Sequence, residues 1–253
     1  MMIRVLENAY PPLLRQARHA HETTTVSLVL AGGLREAVGG AEEIAQPLSA
    51  VVKPRGIEHA DQFGGEGARI LQIVLDDELT AATERWEGGM QRWRWSHAGP
   101  ATPAFLRLLR ARRGMPEQGD GRVEDAALDV LAVLASDAGG GQRRGSPPEW
   151  MARVRQRLDD GAALPVRALA SSAGVHPVYL ARCFRQWYGC SITMYAARRR
   201  VQRAAGRVAS TAHALSAVSC DLGFADQAHM CRMFRRHTGI APSEYRALAA
   251  GRG

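Results

Sequence analysis

The feature that most constrains this chain is a pattern that occurs twice, fifty residues apart. Arg182, Phe184, Gly189 and Tyr195 recur as Arg232, Phe234, Gly239 and Tyr245, and Gly174 recurs forty-nine residues on as Gly223. A spacing this regular calls for one supersecondary unit used twice. Two copies are too few for a solenoid. In the second copy, Gly223 suits the end of a short helix, where free φ is favoured. Asp226 is a good N-cap for the next helix. Met230, Met233, Phe234 and His237 fall at i, i+3, i+4 and i+7 and predict a buried stripe. Gln227, His229, Arg232, Arg235 and Arg236 lie largely off that stripe. Gly239 stops the helix, and Pro242 opens another with Ser243 and Glu244 in its first turn. In the first copy Pro177 suits the first helical turn, and Leu180, Phe184 and Trp187 supply the stripe. A short helix, a tight turn and an amphipathic basic helix fit the helix-turn-helix, whose second helix enters the DNA major groove. An ordinary basic surface helix is the alternative for either copy alone, and the repetition weighs against it.

Three segments carry a family resemblance: Asp221-Leu222-Gly223-Phe224, Arg232-Met233-Phe234-Arg235-Arg236 and Gly239-Ile240-Ala241-Pro242-Ser243-Glu244-Tyr245-Arg246. They resemble the signature of the AraC/XylS family of bacterial transcription regulators almost throughout, and the extra residue in the second turn also matches. The resemblance implies two helix-turn-helix units joined by a long helix, each reading one major-groove segment of double-stranded DNA. RNA polymerase and a second copy of the chain are further candidate partners. Carried across by position, the base-reading residues are Val178, Ala181, Arg182 and Arg185 in the first unit and Gln227, Ala228, His229 and Arg232 in the second. Arg182 and Arg232 can fork to guanine, Gln227 can pair with adenine, and Val178 and Ala181 reach only a thymine methyl. Arg185 better suits a phosphate. The joining helix, expected over 193–209, is roughly 25 Å long at 1.5 Å per residue. Grooves on one face of DNA lie about 34 Å apart, so some bending of the site is implied.

Charge supports the same division. Residues 146–253 carry 16 Arg against 6 Asp+Glu, a net +10, while residues 1–145 carry 17 Lys+Arg against 19 Asp+Glu, a net −2. A basic half on a near-neutral half suits a DNA-binding domain on a non-binding partner. Lys53 is the only lysine; the arginine excess largely fits a GC-rich coding genome. Cys183, Cys190, Cys220 and Cys231 lack metal-site spacing. They are expected to be small buried hydrophobes of a reduced, cytoplasmic protein. No stretch has the length of a membrane span, and the start lacks the apolar core of a signal peptide.

Residues 1–76 read as β structure. Thr23 to Leu30 is a strand expected to end at Gly32-Gly33, followed by strands at 34–38, 48–52 and 68–75. His19-Ala20-His21-Glu22 and Pro54-Arg55-Gly56-Ile57-Glu58-His59 resemble the two motifs of the cupin barrel, H-x-H and P-x-G-x-x-H. The motif glutamate is absent, its place falling on Val26 or Ser27, and Leu48 stands where the second motif opens with glycine. Alternate strand residues face the same way, so His19, His21 and His59 are expected to line a pocket for a small-molecule effector. Three imidazoles can also hold a divalent metal, and plain structural histidines are the third option. Residues 77–135 are expected to be a helical connector with a dimerising or intrachain apolar stripe. Trp86, Trp93 and Trp95 would be core or pocket wall. Residues 136–148 read as a flexible linker, and 149–253 as the DNA-binding domain.

The expected architecture is therefore α+β. It has an N-terminal cupin-like β-barrel, a helical connector and an all-α C-terminal domain with two helix-turn-helix units. The function implied is a non-enzymatic, ligand-responsive transcription regulator. The rival reading is a metal-dependent cupin enzyme carrying a DNA-binding tail.

Overall fold

The computed structural model describes residues 3–84, 90–114, 120–136, 147–162, 164–210 and 213–251. Trp86 and most of the expected linker lie outside the described residues. The chain divides by packing into two units: residues 1–137 together with 201–253, and residues 138–200. This differs from the expected division near residue 149.

The larger unit begins with seven strands: β1 (Ile3–Tyr10), β2 (Arg15–His19), β3 (Thr25–Val38), β4 (Ala41–Ala45), β5 (Ser49–Lys53), β6 (His59–Leu75) and β7 (Arg94–His97). They form one antiparallel sheet in the order β1-β6-β3-β5-β7, with β2 on β6 and β4 on β3. Among the described residues no ladder closes it, so the expected closed barrel is an open, curved sheet. The curvature comes from glycines. The strand does not stop at Gly32-Gly33; β3 runs through them, with register shifts between Val29 and Ala31 and between Gly32 and Leu34. Bulges bend a strand and increase its twist. Gly32 has φ +68°, and a Cβ there would lie 2.0 Å from the Gly67 carbonyl oxygen. The segment 34–38, expected as a separate strand, is the far end of β3.

The connector is not wholly helical. Arg94–His97 pairs with β5, because the alternation around Trp95 fits a sheet edge. The rest is helical: α1 (Asp77–Glu84), α2 (Thr102–Arg113) and α3 (Asp120–Ser136). Asp76 Oδ1 accepts from the Leu79 N–H at 2.7 Å, capping α1. The apolar stripe of α3 (Ala127, Val130, Leu131 and Leu134) is buried in one cluster with Phe105, Leu106 and Leu109 of α2. Its own chain covers it.

The same cluster includes the second half of α7 (Ile192–Ser210), then α8 (Leu215–Asp221), α9 (Gln227–Thr238) and α10 (Pro242–Ala249). Val201, Ala205, Val208, Val218, Met230, Phe234 and Tyr245 share it with Leu28, Leu30 and Leu48 of the sheet. The fully buried Tyr245 hydroxyl donates to the Leu30 carbonyl at 2.6 Å, and burial pushes its pKa well up. Gln202 Nε2 donates to Ser49 Oγ at 2.7 Å, Ser49 Oγ lies 2.9 Å from His97 Nδ1, and His97 Nε2 lies 3.1 Å from Glu43. Arg113 bonds Glu7 at 2.6 Å and also reaches the Leu248 carbonyl.

The smaller unit contains α4 (Glu149–Asp159), α5 (Val166–Ser172), α6 (Pro177–Tyr188) and the first half of α7. Met151, Val154, Leu158, Leu169, Leu180, Phe184 and Ile192 form its core. Asp159 Oδ1 accepts from the Tyr195 hydroxyl and from Arg199 Nε, each at 2.7 Å. The cysteines depart from expectation: Cys183 is buried, Cys190 and Cys231 are half-buried, and Cys220 is exposed. Cys220 follows the buried pair Val218-Ser219 on α8 and so turns away from the core.

Candidate functional site

The sequence repeat is also a repeat of backbone. Gly174 and Gly223 have φ +67° and +68°, and Gly189 and Gly239 have +69° and +79°. Gly174 and Gly189 bracket α6, and Gly223 and Gly239 bracket α9, each between left-handed turns that a side chain would strain. Both helices are capped. His176 Nδ1 accepts from the Val178 N–H at 3.3 Å, and Asp226 Oδ1 accepts from the His229 N–H at 2.5 Å. Phe184 and Phe234 are fully buried and fix the rotation of their helices. Two residues correspond to roughly 200° around a helix. Arg182 and Arg232 therefore point outward, and both are exposed.

The other candidates fall mainly on the same two outer faces. Val178, Ala181 and Arg185 are exposed on α6, and Gln227 and Ala228 on α9. Val178 leaves 70% of its surface in solvent. His229 is half-buried. Its ring meets Phe224 edge-on at 5.7 Å, and its Nδ1 accepts from the Ala225 N–H at 3.3 Å. One ring nitrogen is thus spent on the turn, leaving only Nε2 for a partner. Arg235 and Arg236 extend the exposed basic surface of α9. Sequence reasoning missed Tyr179. It is 47% exposed on α6, with the Arg182 guanidinium 5.7 Å from its ring centre. Its place off the apolar stripe, one residue from Val178, was the available signal.

The sheet gathers the second group of candidates. His19 ends β2, His21 follows in the loop, and His59 opens β6 directly opposite His19. The Gly56 N–H donates to the His21 carbonyl at 2.9 Å, pinning one motif to the other. The rings of His19 and His59 are 4.2 Å apart, those of His19 and His21 5.3 Å, and those of His21 and His59 5.0 Å. One ring nitrogen from each lies within 4.8 Å of the others. His19 Nδ1 donates to the Ala17 carbonyl at 2.8 Å, and His59 Nδ1 to that of Ile57 at 3.3 Å. A carbonyl only accepts, so in the neutral ring Nε2 is left bare, the arrangement that orients metal-ligating imidazoles. His59 Nε2 is buried and has no hydrogen-bond partner. Burial, then the Lys53 charge, lowers the His21 pKa and brings that of His59 down to about 4, so both are neutral near pH 7. These residues fit a divalent ion.

Beside them is a buried ionic cluster that the sequence did not disclose. Glu36 Oε2 accepts from Trp93 Nε1 at 2.8 Å and from Trp95 Nε1 at 2.6 Å. The Lys53 ammonium pairs with Glu36 Oε1, lies 3.7 Å from Asp61 and 5.0 Å from the Trp93 ring centre. Burial pushes the Glu36 carboxyl up to about 7 against the pull of Lys53. A cavity of about 70 Å³ lies beside them, bordered by Tyr10, His19, His21, Lys53, Asp61 and Trp95 among others. Sites for drug-sized ligands run to about 300–1,000 Å³, so this space admits an ion with water but not such a ligand.

Two capped, repeated helix-turn-helix units with exposed basic second helices define a double helix-turn-helix protein. A family described as "Helix-turn-helix domain" matches residues 169–248. Regulatory protein SoxS of Salmonella typhimurium is 31% identical over 98 residues, covering 39% of this chain and 87% of SoxS. The arabinose operon regulatory protein of Escherichia coli is 28% identical over 137 residues, 51% of this chain and 47% of that protein. Transcriptional activator RhrA of Rhizobium meliloti is 28% identical over 127 residues, 48% of this chain and 40% of RhrA. The chain thus spans about half the length of these last two relatives. Similar solved structures include ToxT from Vibrio cholerae, at 8% identity and TM-score 0.42, covering 98% of this chain and 99% of that one. The chain belongs to the AraC family. Its relatives are named as regulators rather than enzymes. No helix among the described residues is long and apolar enough to cross a membrane.

Proposed function

We propose that this chain is a sequence-specific DNA-binding regulator of transcription that reads two major-groove segments, one with α6 and one with α9. The observation that carries the reading is the equivalence of the two helices. Each is fixed by a buried phenylalanine and presents an arginine outward at the same place. Val178, Ala181, Arg182 and Arg185 would read or clamp the first segment, and Gln227, Ala228, His229 and Arg232 the second. Double-stranded DNA is the main partner; RNA polymerase and a second copy of the chain are the others proposed. The test uses the whole chain. Binding sites are selected from a random duplex library, and affinity for the best site is measured against salt concentration. Phosphate contacts release counterions, so log K should fall linearly with log salt, with a slope of roughly −0.9 per contact. A flat response would exclude this mode of binding.

The histidine cluster supports a second element of the reading, a divalent ion held by His19, His21 and His59. The bare Nε2 atoms favour it, that of His59 being buried without a hydrogen-bond partner and 3.6 Å from the Asp61 carboxylate. A bound ion would tie β2, the following loop and β6 together. Elemental analysis of the purified chain should find close to one divalent ion per molecule, and the triple change of these histidines to Ala should remove it. Equal metal content in both proteins would reject the site and leave the histidines structural.

A further inference from the structure

A second, roomier cavity lies elsewhere. It is a cleft of about 610 Å³ between the bent part of the sheet and α7 with the end of α8, all within the larger unit. Its volume falls in the range of small-molecule sites, about 300–1,000 Å³. Four glycines form much of the sheet wall: Gly32 and Gly33 of β3, and Gly64 and Gly65 of β6. Without side chains they present flat peptide surface. Gly32 is needed by the bulge, but Gly65 is not so constrained: its φ is ordinary and a Cβ there would meet nothing within 4 Å. The facing wall has a matching omission. Gly206 sits inside α7, where glycine costs about 1 kcal/mol relative to Ala, and a Cβ there would meet only Pro47, at 3.9 Å. Two unforced glycines facing one cleft keep it open.

The rim decides what the cleft would take. Arg35, Arg203 and Arg207 border it together with Glu66. Arg35 also bonds Glu42 at 2.8 Å, and Arg207 bonds Asp221 at 3.2 Å. Two of the three guanidiniums are thus already paired with carboxylates, and Glu66 adds a further negative charge at the rim, so the rim favours no strongly charged ligand. Guanidinium planes do stack on flat rings. Leu222, the last lining residue, immediately precedes the Gly223 turn of the second helix-turn-helix.

We infer that this cleft, and not the sheet interior, is the effector site, and that it takes an uncharged, apolar, ring-bearing small molecule. The binding claim stands on the cleft alone; its regulatory meaning rests on the DNA-binding reading above. A molecule held there touches the sheet on one side and the turn preceding α9 on the other.

The test uses the fluorescent probe N-phenyl-1-naphthylamine, which has two apolar ring systems and no charge, with the full chain. Wild type should enhance its fluorescence saturably at one site per chain. Gly206→Leu and Gly65→Leu fill the cleft from opposite walls, and each should abolish the enhancement. Leucine suits a helix better than glycine, so Gly206→Leu should melt no lower than wild type, and the melting curve separates loss of the site from loss of the fold. The sulfonated analogue 8-anilinonaphthalene-1-sulfonate should bind more weakly than the uncharged probe. Unchanged binding in both folded variants would overturn the site, and tighter binding of the sulfonate would overturn the ligand class. Affinity for the selected duplex, measured without probe, reports separately on the DNA-binding reading, since neither glycine lies on α6 or α9.

Discussion

Replacing Lys53 with Met is expected to cost about 3–5 kcal/mol of folding stability, because it leaves two carboxylates buried without their cation. The side chain of Glu36 is fully buried and that of Asp61 is 5% exposed. The Lys53 ammonium is what they share. Methionine keeps most of the stem's volume and removes the charge, so the loss reports electrostatics rather than a cavity. Urea unfolding at pH 7 measures it directly. The double variant Lys53→Met/Glu36→Gln should recover much of the loss. A neutral glutamine oxygen can still accept from Trp93 and Trp95 while only Asp61 stays uncompensated. Non-additivity of that size marks a coupled pair. If Lys53→Met alone is as stable as wild type, the cluster is not buried as described.

Arg182→Ala and Arg232→Ala should each weaken binding to the selected duplex by about 1–3 kcal/mol and relax preference at one base pair. Both arginines stand two residues before a buried phenylalanine, so their outward direction is set by the core rather than by chance rotamers. The two costs should add approximately, since the residues have no shared partner among the described residues. Together, at about 2–6 kcal/mol, they represent a loss of roughly thirtyfold to twenty-thousandfold. Arg182 has a second partner that Arg232 lacks, the Tyr179 ring, and Tyr179→Ala should weaken the first contact without touching the second. Sites selected separately for each variant check this. Uniform weakening across all sequences would make the arginines phosphate clamps, and unchanged preference in both variants would remove them from base reading.

The helix-turn-helix elements were legible because each signal in them is local. A glycine with positive φ, a capping Asp226, a proline in the first turn and a phenylalanine on a 3.6-residue stripe all act within one or two turns. The sheet was less legible for the opposite reason. Gly32-Gly33 reads as punctuation, yet the shape of β3 is decided by Gly67, thirty-five residues from Gly32, whose carbonyl leaves no room for a Cβ on Gly32. β7 is four residues long and shows its character only against β5. The three histidines came together as their motifs suggest, with one departure: His21 lies in the loop beyond β2, held by Gly56, and not on the strand. Glu36, Lys53 and Asp61 were invisible because they sit on three different strands. The sole lysine in a chain with 32 arginines was a clue to Lys53. The cleft is defined by what residues lack, and a missing side chain carries no motif.

The bond from Tyr245 to Leu30 has a consequence for how the protein is made. The strand carrying Leu30 leaves the ribosome 215 residues before the hydroxyl that satisfies its carbonyl. The apolar surface of Leu28, Leu30 and Leu48 stays incomplete until Val201 to Ala249 arrive to cover it. At synthesis rates of about 5–20 residues per second, that interval lasts roughly 10–40 seconds. The residues of the smaller unit emerge within it and carry their own core, so they can fold first. Early translation arrest would therefore release an N-terminal half with an uncovered apolar face, prone to aggregation, rather than a free-standing sensor.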